Sequence, residues 1–264
     1  MDTQAIIWIA VAVLVMATLY STVGHGGGSG YLAVLAISSI APEQMRPTAL
    51  VLNVVVATIA TWKFGGTGMF RKDLFFPLIC VSIPAALVGG YTEIPTLLYK
   101  PIVGLVLAYA AIHLCIKING AEQTNRPPLF LVLIAGVCIG FFSGAIGVGG
   151  GIFLSPLVLL FGWATAKQTA VISAPFILVN SIAGLGGIAL EHGGLPIHAV
   201  FIAPLAIAAV LGGCIGATLG SKKLGHQGLR TMLGVVLFIA STKMFISLAS
   251  NTNPTPTNAI KSTQ

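Results

Sequence analysis

"YSTVGHGGGSGYLAVL", residues 20–35, sets five glycines and one histidine between two apolar runs. Glycine is a poor helix former, costing up to about 1 kcal/mol per residue against alanine. Gly24 to Gly30 therefore cannot comfortably continue the apolar helix on either side. What such a break means depends on the solvent around it, and the rest of the chain specifies that solvent.

Of 264 residues, 56% are hydrophobic and 7% charged. A soluble domain carries roughly 25% charged residues to cover its surface, so this chain cannot present a globular surface to water. A bilayer core, which about 20 apolar helical residues span, is the matching environment. Apolar runs occupy 5–23, 47–62, 74–91, 101–116, 129–147, 168–190, 197–219 and 229–249. Two shorter runs, 30–41 and 152–163, are too brief to cross unaided. Together they leave no room for a soluble domain, and an all-α polytopic protein of the cytoplasmic membrane is expected. The first run lacks the basic start and small-residue cleavage site of a signal peptide and reads as a retained helix. The tail 251–264, with "NTNPTPTN", reads as disordered.

The formal net charge of +7 would suggest nucleic acid in a soluble protein. Here the basic residues are spread over short loops, where their usual role is to set membrane orientation. Cys80, Cys115, Cys138 and Cys214 lie within apolar runs without metal-type spacing, and read as small buried hydrophobes. Nothing in the sequence calls for a cofactor. The partners expected are a small anionic solute and the lipid bilayer, not nucleic acid, and a homo-oligomer is compatible with the chain.

An offset of 123 positions lays the chain on itself. Gly24, Gly26, Gly27 and Gly28 then fall on Gly147, Gly149, Gly150 and Gly151. Ile59-Ala60 falls on Ile182-Ala183, Ala85-Ala86 on Ala208-Ala209, Gly89-Gly90 on Gly212-Gly213, and Lys100 on Lys223. Two homologous halves, 1–123 and 124–250, are expected, joined across "KINGAEQTNRPP". With five crossings per half, loops 63–73, 117–128, 164–167 and 220–230 share a side and hold nine of the thirteen Lys and Arg. The positive-inside rule favours that odd number, and an odd-numbered repeat inserts upside down relative to its twin. Inverted repeats, with about eight to ten membrane segments including short or broken helices, are the expected architecture.

Irregular backbone at membrane depth is tolerated only when buried in protein or lining a water-filled cavity. Unpaired N–H groups there, followed by the positive end of a short helix, form an anion-binding nest. The four-spaced sets Gly136/Gly140/Gly144 and Gly212/Gly216/Gly220 read instead as helix-packing stripes. No GK[ST] follows the glycines and no strand precedes them, which excludes phosphate-loop and dinucleotide folds.

"AIGVGGGIFLSPLVLLFG", from Ala145 to Gly162, resembles the Gly-rich motif and following proline of the TauE/SafE sulfite-exporter family. "VGHGGGSGYLAVLAIS" repeats its glycines in the first half, with Ala33 where the second copy has Pro156. "RPTALVLN" with "QTAVISAP", and "GGTGMFRKDLFFPL" with "GGLPIHAVFIAPL", extend the likeness over about residues 5–250. The resemblance implies a permease for small sulfur-containing or organic anions such as sulfite or sulfonates, usually exported; an anion channel, a permease for another small solute and a non-transporting membrane scaffold are the alternatives.

Candidate substrate-binding residues are Gly24, His25, Gly26, Gly27, Gly28, Asn53, Gly147, Gly149, Gly150, Gly151, Asn180 and Ser181. His25, opposite Val148 in the repeat, is an ionisable group at membrane depth and so a functional candidate for carrying charge or a proton, against a purely structural role. Asn53, Asn180 and Ser181 interrupt apolar helices and offer donors to an oxyanion; the competing role is interhelical hydrogen bonding. Ser143 is at best an indirect contributor. Arg46 and Lys167 read as snorkelling interface residues, with an electrostatic funnel drawing anions as the sharper alternative, and Trp8, Trp62 and Trp163 as interfacial anchors. Glu43, Asp73, Glu93, Glu122 and Glu191 fall in expected loops, so a carboxylate relay or sodium cage is hard to build. No HExxH, G-x-S-x-G or CxxC pattern supports an enzyme.

Overall fold

The computed structural model describes residues 3–38, 40–92, 112, 124–197 and 199–225, with 227–229, 231–236, 238–239 and 241–242. The expected run 101–116 apart from residue 112, the part 243–249 of the last run and the tail 251–264 lie outside the described residues, as do Cys115, Glu93 and Glu122. Among the described residues the chain is all helical, without a sheet. Its elements are α1 (Thr3–Ser21), α2 (Gly28–Ile37), α3 (Pro42–Gly65), α4 (Lys72–Tyr91), α5 (Leu129–Ile146), α6 (Gly151–Leu160), α7 (Ala166–His192) and α8 (Ala199–Thr218). A π turn, Leu219–Lys223, extends α8. Among the described residues six helices are long and apolar enough to cross a membrane; α2 and α6, ten residues each, are not.

Helix ends follow local chemistry. Thr165 starts α7 with a capping box, its hydroxyl accepting from the Gln168 N–H while the Gln168 side chain accepts from the Thr165 N–H, and so satisfies two otherwise orphaned donors. At α2 and α6 the cap is glycine: Gly27 (φ 99°) and Gly150 (φ 82°) both sit in the left-handed region, which costs an L side chain about 1–2 kcal/mol. Each break therefore ends at a residue that only glycine occupies cheaply.

Between helices, absent side chains set the packing. Gly136, Gly140 and Gly144 of α5 lie against Leu78, Ser82 and Ala86 of α4. Gly212, Gly216 and Gly220 lie against Leu14 and Ala17, Thr18 and Ser21, and Thr22. Numbers rise together in both seams, so α4 runs parallel to α5, and α1 parallel to α8. A Cβ at Gly140, Gly144, Gly216 or Gly220 would meet a backbone carbonyl across the seam, so these stripes are close-approach surfaces. By contrast, α3 and α7 are antiparallel: Leu50 touches Gly184, while Ala60 and Phe64 cluster with Ala170 and Ala174.

The described parts of the basic loops share one end of the bundle. Arg71 donates to the Trp163 carbonyl at 3.1 Å, the Asn125 N–H donates to the Gly162 carbonyl at 2.8 Å, and Gly220 abuts Phe64. Lys63, Lys72, Lys167, Lys222 and Lys223 follow or precede those contacts in sequence and lie at that end with Arg71.

Several sequence expectations need correction. Cys80, Cys138 and Cys214 are free but exposed on the helix surfaces, not buried, because an apolar run does not distinguish a lipid-facing side chain from an internal one. Trp8 and Trp62 are exposed, but Trp163 is buried and stacks on Phe161, so it is no interfacial anchor. Glu43 and Asp73 occupy first helical turns and Glu191 the end of α7, not loops.

Candidate functional site

The two glycine breaks meet. Gly28 packs on the Val148 backbone, and His25 Nε2 lies 2.9 Å from the Gly151 carbonyl. The N-termini of α2 and α6, starting at Gly28 and Gly151, thus converge, and a helix N-terminus carries about half a positive charge. Gly24 and Gly147, also at positive φ (74° and 83°), mark where each break begins. Gly24 abuts the Ala170 carbonyl and Gly147 the Arg46 backbone, so these two belong to the outer edges of the loops.

Loop hydrogen bonds use the N–H groups of Val23, Gly24, His25 and Gly147. Those of Gly26, Gly27, Gly149 and Gly150 have no partner among the described residues. All four glycines are buried, where backbone donors are nearly always paired.

Asn53 lies at the centre of this arrangement. It is wholly buried on α3, and neither Nδ2 nor Oδ1 has a partner among the described residues. Oδ1 faces Gly26; Nδ2 faces Gly28 of the first loop and Gly149 of the second. Ser181, also wholly buried, reaches the same place from α7 with an unpartnered Oγ. A Cβ on Gly149 would sit 2.9 Å from both Asn53 Nδ2 and Ser181 Oγ, so the two side chains converge on that glycine. Ile177 supplies an apolar wall against Gly26, Gly149 and Gly151.

Other candidates have different work. Asn180 donates from Nδ2 to the Phe176 carbonyl at 2.8 Å, a turn earlier on its own helix, leaving Oδ1 unpartnered among the described residues. His25 spends both ring nitrogens: Nδ1 faces the Val23 carbonyl at 3.1 Å, and Nε2 faces the Gly151 carbonyl and Ser155 Oγ at 3.0 Å. Ser155 Oγ in turn lies 3.1 Å from Ser173 Oγ. A carbonyl only accepts, so neutral imidazole satisfies one of the two carbonyls and imidazolium both. His25 thereby clasps the first loop to α6.

Sequence reading missed the supports. Tyr31 donates to the Gly26 carbonyl at 2.6 Å, and Tyr20 Oη pairs with Ser29 Oγ at 2.8 Å, fixing the first loop. Aromatic hydroxyls at Tyr20 and Tyr31, flanking a glycine break, were the available signal. Arg46 is not a snorkelling residue: Nη2 reaches the carbonyls of Gly90 (3.1 Å), Thr92 (3.3 Å) and Gly144 (3.4 Å). It sets its positive charge at the C-terminal end of α4 and beside α5, where the helix dipole favours a cation.

Six long apolar helices and two broken hairpins meeting inside the bundle define a multi-pass membrane protein. The family model for the sulfite exporter TauE/SafE matches residues 9–244, and the chain belongs to that family, one of transporters, not enzymes. It is 39% identical over 249 residues to the probable membrane transporter protein y4hK of Sinorhizobium fredii, covering 92% of this chain and 99% of that one. It is 24% identical over 244 residues to the probable membrane transporter protein YfcA of Escherichia coli K12, covering 88% and 87%. No solved structure matches the chain.

Proposed function

We propose that the protein is a secondary permease for a small sulfur-containing or organic anion, exporting it across the cytoplasmic membrane. The anion is held where the two glycine breaks meet, by the N–H groups of Gly26, Gly27, Gly149 and Gly150 with Asn53 and Ser181; Gly28 and Gly151 shape the seat. His25 positions the loops, and Gly24 and Gly147 let the chain turn into them. The observation that carries this reading is Asn53, wholly buried with both amide atoms unpartnered against glycines of both loops. Buried amides without partners are costly, about 1–3 kcal/mol each, and a bound solute relieves that cost.

The site works between two inverted halves, 1–123 and 124–250. Supporting this, α2 and α6 start 123 positions apart with the same cap geometry. The seam α4–α5 has its counterpart in α8–α1, and α3 runs antiparallel to α7, its equivalent. A two-fold axis in the membrane plane relates such halves and leaves the site at their junction. An anion leaving a negative interior gains about 2.3 kcal/mol per charge per 100 mV, so export proceeds without a coupling ion.

The test is sulfite efflux from proteoliposomes under a set membrane potential. Saturable, voltage-sensitive efflux that falls roughly 100-fold in Asn53→Leu and is lost in Gly150→Leu, both purified as monodisperse protein, is expected. Absent or unsaturable flux contradicts the reading.

A further inference from the structure

The groups proposed to face the ligand are neutral donors, apart from one atom that can only accept. The N–H groups and Asn53 Nδ2 donate, the Ser181 hydroxyl donates to an anion and can also accept, and one end of the Asn53 amide only accepts. Exchanging its oxygen and nitrogen leaves the same count, since both atoms are buried and unpartnered. A bare oxyanion carries acceptors alone, so it satisfies the donors and sets its own lone pairs against that carbonyl oxygen. Of the basic side chains beside the loops, Arg46 is committed to carbonyls of α4 and α5 and His25 to Gly151, Val23 and Ser155. While His25 is neutral the seat holds no formal positive charge, and a second negative charge on the ligand has no ionised partner to offset its desolvation. Ile177 adds an apolar wall against three of the glycines, suited to a short carbon segment.

We infer that the junction selects monoanions that carry their own hydrogen-bond donor, such as a hydroxylated or amino-substituted short sulfonate or carboxylate, with Asn53 reading that donor. This rests on the permease reading above and narrows its substrate class. A site built to pair a ligand hydroxyl discriminates strongly against the analogue without it, because the buried partner is then left unpaired.

The experiment compares 2-hydroxyethanesulfonate with ethanesulfonate, two monoanions of nearly equal size, in the proteoliposome assay, with sulfate as the dianion. Expected is a kcat/KM at least about tenfold higher for the hydroxylated anion, sulfate slower than either, and compression of the ratio to within about threefold in Asn53→Leu. Thermal melts of the purified wild type give a second reading without transport: the hydroxylated anion raises the midpoint more at equal concentration. Wild-type protein that moves both sulfonates within threefold of each other, with equal midpoint shifts, overturns the inference and leaves the permease reading standing. The same holds if sulfate is the fastest of the three. If neither sulfonate nor sulfite moves, the permease reading itself fails and takes this inference with it.

Discussion

The two broken hairpins, α1–α2 and α5–α6, share the positions of their glycines but not a chemistry, and Gly149 is left-handed where its equivalent Gly26 is not. Each has a left-handed glycine where the break begins, Gly24 or Gly147, and another capping the short helix, Gly27 or Gly150. Side chains diverge. His25 of the first stands where the second has Val148, and Asn53 of α3 aligns at the same offset with Phe176 of α7. Ser181 aligns with Thr58, whose hydroxyl bonds back to Val54 on the exposed side of α3. The duplicated feature is therefore the scaffold of two helix N-termini brought together. The unduplicated polar atoms, one amide and one hydroxyl, supply the asymmetry at its centre.

That contrast can be broken by mutation. The largest effect is expected from Asn53→Leu, which removes hydrogen bonds to a charged ligand worth about 1.5–3 kcal/mol; sulfite kcat/KM should fall roughly 100-fold with little change in melting temperature. Phe176→Leu, the equivalent change on α7, should act on stability and leave the specificity between anions intact. Next in size, His25→Ala strips partners from the Gly151 carbonyl and Ser155. It is expected to destabilise by about 3 kcal/mol, against about 1–2 kcal/mol for Val148→Ala, read as thermal melts in detergent. Equal losses would erase the asymmetry of the hairpins.

Gly27→Ala and Gly150→Ala test the shared scaffold. Both residues are left-handed, and an added Cβ would lie 2.7 Å from the Tyr31 ring and 2.9 Å from the Phe176 ring respectively. Each substitution should cost about 1–2 kcal/mol through backbone strain, and the two should match. Smallest is Gly66→Ala, at an ordinary φ of −73° with nothing near its missing side chain; a change within about 0.5 kcal/mol is expected.

What the sequence disclosed follows from what a bilayer leaves visible. Lengths of apolar runs placed α3, α4 and α7 to within a few residues, because helix span and hydrocarbon thickness are linked. Consecutive glycines located both breaks, since no other composition so plainly stops a membrane helix. Burial was harder to read. In lipid, inside and outside are equally apolar, so Cys80 and Cys138 gave no hint of facing outward and Trp163 none of facing inward. Arg46 was misread because its partners are carbonyls of α4 and α5, invisible to any pattern of side chains. Ser155 and Ser173 likewise acquire a role only once α6 and α7 bring them to His25.

Anomalous scattering from crystals grown with selenite, the heavier analogue of sulfite, addresses the junction directly. The account predicts one dominant peak between the two glycine breaks, within hydrogen-bond distance of Asn53 Nδ2 and Ser181 Oγ, and its disappearance in Asn53→Leu. A dominant peak instead at the basic end near Lys63, Lys167 and Lys222, with nothing beside Asn53, contradicts it.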